Sequence, residues 1–277
     1  MYLALRPGNL LTLPPIASRY PQFVLDLCLK HDAVAITVDY RLMPEASGAE
    51  IIKDVDDFYA WLRAPGNLAA HLPAGVEVDL ENLLVTGESA GGYLTFHSAL
   101  LASAEVKVIV LHYPMLDLRD PHYTTAYYKP LFDPPVPPIP PKVLEDHVAG
   151  LNGTEVVTNA VPMDRMPIVL SMGLEGRFGD FLGDERSLYP LEVLEDGWTS
   201  KPALPPTWIL HGKQDLAVPI EGTHRFVERL QAHAATTPLH LTYEDGQHGF
   251  DEVTSSDTMW VKEGVQFIEK YWPVNAP

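Results

Sequence analysis

This chain has a single cysteine, Cys28, so no internal disulfide is available to it. Cys28 sits in an apolar pattern with Phe23, Leu25, Leu27 and Leu29 and reads as a small buried hydrophobe. No run approaches the about 20 apolar residues needed to cross a bilayer. The N-terminus lacks the basic region, long apolar stretch and small-residue cleavage site of a secretory signal, so a cytoplasmic protein is expected. Basic residues are also scarce: 19 Lys and Arg stand against 37 Asp and Glu, a formal charge of −18. Such a surface repels phosphates, which argues against nucleic acid and anionic membranes as partners. No histidine or cysteine spacing suggests a metal site, no glycine loop has a nucleotide-binding pattern, and no cofactor is expected.

What the chain does have is length for one large core: 277 residues, enough for a single α/β domain over 1–277. Short, nearly uninterrupted apolar runs read as strands at Tyr2–Leu5, Ala33–Asp39, Asn82–Thr86, Val106–Leu111, Thr207–His211 and Leu239–Tyr243. Helical spacing separates most of them. Pro21 suits the first position of a helix reaching about Lys30, Ile51 to Leu62 repeats with helical period, and 90–103, 220–233 and 256–271 read likewise. Strands alternating with helices predict a doubly wound, mainly parallel sheet. The alternation stops from Asp117 to about Leu204, where Pro, Tyr, Asp and Gly dominate; residues 117–204 are expected to form a cap or lid inserted in the domain. Its Pro134–Pro141 run reads as a stiff polyproline II connector.

The chemistry concentrates in Gly87-Glu88-Ser89-Ala90-Gly91. A Gly-x-Ser-x-Gly run alone is a weak signal. Here it joins a buried strand, Leu83 to Thr86, to an apolar helix from Tyr93, and that context is where a sharp turn exposes a nucleophilic serine. The helix N-terminus would then direct the Ala90 N–H at a developing oxyanion. A serine hydroxyl needs a base, and the base needs an orienting acid. Asp215 follows the strand 207–211 and His248 follows the last strand, the chain order that this architecture requires. Glu244 and Asp245 are rivals for the acid, although each would have to fold back to reach its neighbour's ring. The other ten histidines read as structural or solvent-facing; His112 and His211, which close strands, fall too early in the chain to be the base.

Taken together, these residues resemble the hormone-sensitive lipase-like branch of α/β-hydrolases, the α/β hydrolase fold-3 esterases and lipases. Val38-Asp39-Tyr40-Arg41-Leu42-Met43-Pro44-Glu45 is similar to that branch's V-D-Y-R-L-A-P-E segment, and the elbow, Tyr113-Pro114-Met115-Leu116-Asp117, the Asp215 loop and His248-Gly249-Phe250 fit as well. The resemblance implies the α/β-hydrolase fold and hydrolysis of an apolar small-molecule ester by Ser89, His248 and Asp215. Where the branch carries His-Gly-Gly-Gly, this chain carries Arg6-Pro7-Gly8-Asn9, and the alignment assigns Gly8 and Asn9, with Ala90, as oxyanion donors. Met1 falls inside the branch's third strand, so the first two family strands are expected to be missing. Ala33–Asp39 then becomes a sheet edge, and an apolar edge is a liability unless covered. A shortened reading frame, a homodimer through that edge, and coverage by the Pro-rich run are three explanations. The same triad also serves acyltransferases, cyclases and lactonases, and the resemblance extends to non-catalytic receptors.

Overall fold

Six apolar runs become strands in the computed structural model: β1 (Tyr2–Leu5), β2 (Ala35–Thr37), β3 (Leu83–Glu88), β4 (Val106–His112), β5 (Thr207–Gly212) and β6 (Leu239–Glu244). The structure describes residues 2–5, 21–158, 164–196 and 204–272. The strands form one sheet in the order β2-β1-β3-β4-β5-β6, with every pair parallel. β2 lies at the edge, as expected, but only Ala35–Thr37 of the predicted Ala33–Asp39 pairs, in register with Tyr2, Leu3 and Ala4.

Alternation along the strands sorts side chains between two layers, because successive residues point to opposite faces. Leu84, Val108, Val110, Trp208 and Leu210 meet α1 (Gln22–Lys30) and, from the far end of the chain, Val261 and Ile268. Those last two belong to α10 (Met259–Tyr271), which lies so close that a Cβ on Gly264 would collide with the Trp208 ring. Leu83, Val85, Ile109, Leu111 and Ile209 face the other way, toward α2 (Gly48–Arg63), α3 (Ala90–Leu101) and α9 (Ile220–His233). α2 starts at a capping box, with the Ser47 Oγ accepting from the Glu50 N–H and the Glu50 carboxylate accepting from the Ser47 N–H at 2.8 Å. Cys28 is buried in α1, and burial pushes its thiol up to about 11.

Between β4 and β5 the chain forms short helices: α4 (Pro121–Thr124), α5 (Lys142–Gly150), α6 (Met166–Leu174), α7 (Phe178–Leu182) and α8 (Pro190–Glu195). Tyr123, Leu144, Met172, Phe178 and Leu194 join the same hydrophobic cluster as β3, β4 and α3, so this insertion shares the main core. The Pro-rich run packs Val136 and Ile139 against Leu131, Leu170 and Leu174. An ion cluster ties cap to core: Arg165 binds the Glu45 carboxylate at 2.5 and 2.8 Å and the Met43 carbonyl at 2.9 Å, and His147 reaches Glu45 at 2.9 Å.

The chain reverses its direction of travel across the sheet between β1 and β3. In open parallel sheets the crevice for a ligand lies beyond the carboxyl ends of strands at such a reversal. Residues of the insertion, Phe132 and Leu170 among them, line a cavity there together with Ser89.

Candidate active site

No loop separates β3 from α3. Glu88 ends the strand, Ala90 begins the helix, and Ser89 makes the whole corner with φ 53° and ψ −117°. That backbone conformation costs a non-glycine residue about 1–3 kcal/mol and persists only where its surroundings impose it. Here they do. A Cβ on Gly87 would collide with the Gly91 carbonyl, and one on Gly92 with Pro114, so glycine at both places is what lets the corner close. The Ser89 N–H donates to the His112 carbonyl at 2.8 Å, and the Ser89 carbonyl accepts from the Gly92 and Met115 N–H groups at 3.0 and 3.1 Å. The amides of a first helical turn have no acceptor within the helix, so the buried Ala90 N–H is a donor at the foot of this corner.

His112 is itself anchored. Its Nδ1 meets the Asp251 carboxylate at 2.6 Å and its Nε2 the Thr86 hydroxyl at 2.9 Å, all within the interior. Asp251 lies three residues beyond His248, so the pair ties the end of β4, and through it the serine corner, to the loop after β6.

Asp215 occupies the turn after β5. Its Oδ1 accepts the N–H groups of Ala217 and Val218 at 2.9 and 2.8 Å, and its Oδ2 accepts the His248 Nδ1–H at 2.7 Å. His211 lies on the same carboxylate, its Nε2 at 3.4 Å, while that nitrogen donates to the Val218 carbonyl at 2.8 Å and Nδ1 meets the Thr223 hydroxyl. Burial alone would raise the Asp215 pKa, but His248 and His211 outweigh it and hold the carboxyl well below the usual range. An ionised acceptor on Nδ1 leaves the His248 Nε2 with its lone pair. Tyr113 packs edge-on against the His248 ring, with centroids 4.6 Å apart.

Ser89 and His248 line one cavity, of about 70 Å³, walled by Met115, Phe132, Leu170 and Val218 among others. The sequence-derived set thus divides. Asp215 and His248 are hydrogen-bonded, Ser89 shares the His248 cavity, and Ala90 opens α3; Gly8 and Asn9 lie outside the described residues. Asp245 is no rival to Asp215: its carboxylate is exposed and pairs with Lys213 at 3.3 Å. Two residues escaped sequence reasoning. His122, dismissed there with the other histidines, is buried, lines the cavity, and donates its Nε2–H to the Ala217 carbonyl at 3.0 Å. Asp251 drew no attention at all. Asp120-Pro121 does carry a local signal, a helix N-cap followed by Pro, and the Asp120 carboxylate caps the His122 N–H. Nothing local says that this turn faces Ser89. Among the described residues, no group of three or more His, Cys, Asp and Glu could hold a metal, and no helix is long and apolar enough to cross a membrane.

Known proteins resemble this chain in sequence and in fold. Residues 15–138 match the family model of the alpha/beta hydrolase fold. The chain is 32% identical over 202 residues to the probable carboxylesterase clz11 of Cochliobolus lunatus, covering 69% of this chain and 90% of that one. It is 28% identical over 260 residues to the probable carboxylesterase M8 of Phoma sp., covering 91% and 79% respectively. Among solved structures, carboxyl esterase 2 of the fungus Tuber melanosporum has the same fold, with a TM-score of 0.59 at 20% identity over 99% of this chain and 78% of that one.

Proposed function

The chain belongs to the α/β-hydrolase fold family, and from that premise we propose that it hydrolyses carboxylic esters through Ser89, His248 and Asp215. One observation carries the reading: the 2.7 Å contact that fixes the His248 tautomer belongs to a ring lining the same cavity as Ser89. In this reading the Ser89 Oγ attacks the ester carbonyl carbon while the His248 Nε2 takes its proton. Negative charge gathers on the carbonyl oxygen, facing the Ala90 N–H together with Gly8 and Asn9. Collapse breaks the bond to the alcohol, which leaves with the proton from His248. Water then attacks the acyl-Ser89 ester, gives its proton to His248, and the acid departs as the Ser89 hydroxyl is restored. Asp215 stabilises the imidazolium in both halves and stays ionised throughout. The apolar cap residues Phe132, Leu170 and Phe178 favour an apolar acyl or alcohol group in the cavity.

Release of p-nitrophenol from short-chain esters, with fluorophosphonate labelling of Ser89, tests the reading. Ser89→Ala is expected to lose the label and about 10⁶-fold in kcat. Equal turnover by the two proteins would overturn it.

A further inference from the structure

Asp215 is flanked by two histidines, and the bond-breaking steps use only one of them. His211, in β5, is fully buried and does not line the Ser89 cavity. Its Nε2 donates to the Val218 carbonyl at 2.8 Å and lies 3.4 Å from Asp215 Oδ2, the oxygen that also holds the His248 Nδ1–H at 2.7 Å. A carbonyl can only accept, so this nitrogen carries a proton. Nδ1 meets the Thr223 hydroxyl at 2.8 Å, and a hydroxyl can either donate or accept. The ring therefore keeps both hydrogen bonds whether neutral or cationic, and in either state it sets a positive N–H edge beside Oδ2.

A positive edge beside a carboxylate favours its ionised form and weakens it as a base. Burial works the other way at Asp215, but His248 and His211 together overcome it. The other groups around this pair are committed elsewhere, uncharged or exposed. From α4, His122 gives its Nε2–H to the Ala217 carbonyl, and burial keeps Tyr123 a neutral phenol. Asp117 and Asp120, which act on Tyr123, pair with Arg225. In the cleft that Asp215 also lines, Lys129 donates to the Thr125 and Gly173 carbonyls, Lys213 pairs with Asp245, and Glu221 is exposed at the start of α9. Against the His248 ring lie Phe132 and Tyr113, the latter kept protonated by burial and by Asp251, Glu88 and Glu252.

Building on the hydrolase reading above, we infer that His211 is a positioning residue for the reaction, its N–H sharing Asp215 Oδ2 with His248 and so limiting how tightly the carboxylate holds the His248 imidazolium. His211 takes no proton from Ser89 or from the substrate. Without it, Oδ2 would bind the imidazolium more strongly, and His248 would need a higher pH to become the free base that receives the Ser89 proton. A ring that served packing alone would change the rate and leave that pH where it is.

The test follows kcat/KM for p-nitrophenyl butyrate from about pH 5 to about pH 9, with product read where phenol and phenolate absorb equally. His211→Met removes the N–H, and its acidic limb is expected to move up by about half a pH unit or more. His211→Gln keeps an N–H for Val218 and Oδ2, and its limb is expected to stay within about 0.2 of wild type, whatever its rate. A His211→Met limb that coincides with wild type overturns the inference, as does a His211→Gln limb displaced equally far. In wild type itself, the ring-nitrogen NMR signals of His211 are expected to shift across the acidic limb, because both rings share one oxygen. Signals that stay flat there overturn the inference without any variant having to fold. Any of these failures on an enzyme whose Ser89 takes a fluorophosphonate removes this inference alone. Absence of both labelling and ester turnover in wild type overturns the hydrolase reading and this inference with it.

Discussion

Asp215→Asn changes one atom in size by almost nothing and is expected to cost about 10⁴-fold in kcat. The reason lies in which oxygen is already committed. Oδ1 accepts two backbone N–H groups, from Ala217 and Val218, and only an oxygen can remain there. The asparagine carbonyl must therefore take the Oδ1 place, which turns its NH₂ toward the Nδ1 of His248. Nδ1 then becomes an acceptor, the ring proton moves to Nε2, and no lone pair remains to receive the Ser89 proton. A wrong tautomer of this kind removes about 10⁴ from kcat, or about 5 kcal/mol of transition-state stabilisation. Initial rates on p-nitrophenyl butyrate, with active sites counted by fluorophosphonate titration, measure the loss. Asp245→Asn is the matched control, since its carboxylate is exposed and on Lys213; it is expected to stay within about twofold of wild type. If Asp215→Asn keeps more than a tenth of the wild-type rate, or if the control falls as far, the assignment of the orienting acid is wrong.

Three further expectations concern stability. Because the folded pKa of Asp215 is depressed, its contribution is present above the unfolded value of about 3.9 and is lost as pH falls through the folded value. The difference in urea midpoint between wild type and Asp215→Asn is thus expected to shrink below about pH 4, and a difference that grows on acidification would contradict the sign. Arg165→Met leaves the Glu45 carboxylate, nearly inaccessible to solvent, without its guanidinium and is expected to cost about 3 kcal/mol in urea unfolding. His112→Leu leaves Asp251 buried and unpaired, at a similar cost; in a double-mutant cycle with Asp251→Leu the two losses are expected to fall short of additivity by at least about 1 kcal/mol. Additive losses would mean the pair is not coupled.

The sheet was readable because strands buried on both faces need continuous apolar runs, and those runs survive in sequence as short blocks such as Leu83–Thr86 and Val106–Leu111. Edges were less readable. Ala33–Asp39 has the composition of a strand over its whole length, and among the described residues Ala35–Thr37 of it pairs with β1. Helix α2 begins at Gly48, earlier than the apolar period suggests, because its start is written in the Ser47–Glu50 capping box rather than in hydrophobicity. Ser89, Asp215 and His248 could be found because each follows its own strand in a fixed order. The pairing of His112 with Asp251 could not, since the partners lie 139 residues apart and neither carries a local pattern. The five cap helices went unread for a simpler reason: none exceeds nine residues, too short for a period to emerge.

The Glu45–Arg165–His147 cluster also bears on how this molecule meets its substrate in bulk. Swinging the cap away from the sheet would strand a carboxylate and a guanidinium that are now almost wholly shielded, a penalty that a lipid–water boundary does little to repay. An insertion so fastened does not wait for an oil droplet to open it. Turnover should then rise hyperbolically with dissolved ester and show no jump where micelles form, the kinetics of an enzyme that takes its substrates one molecule at a time.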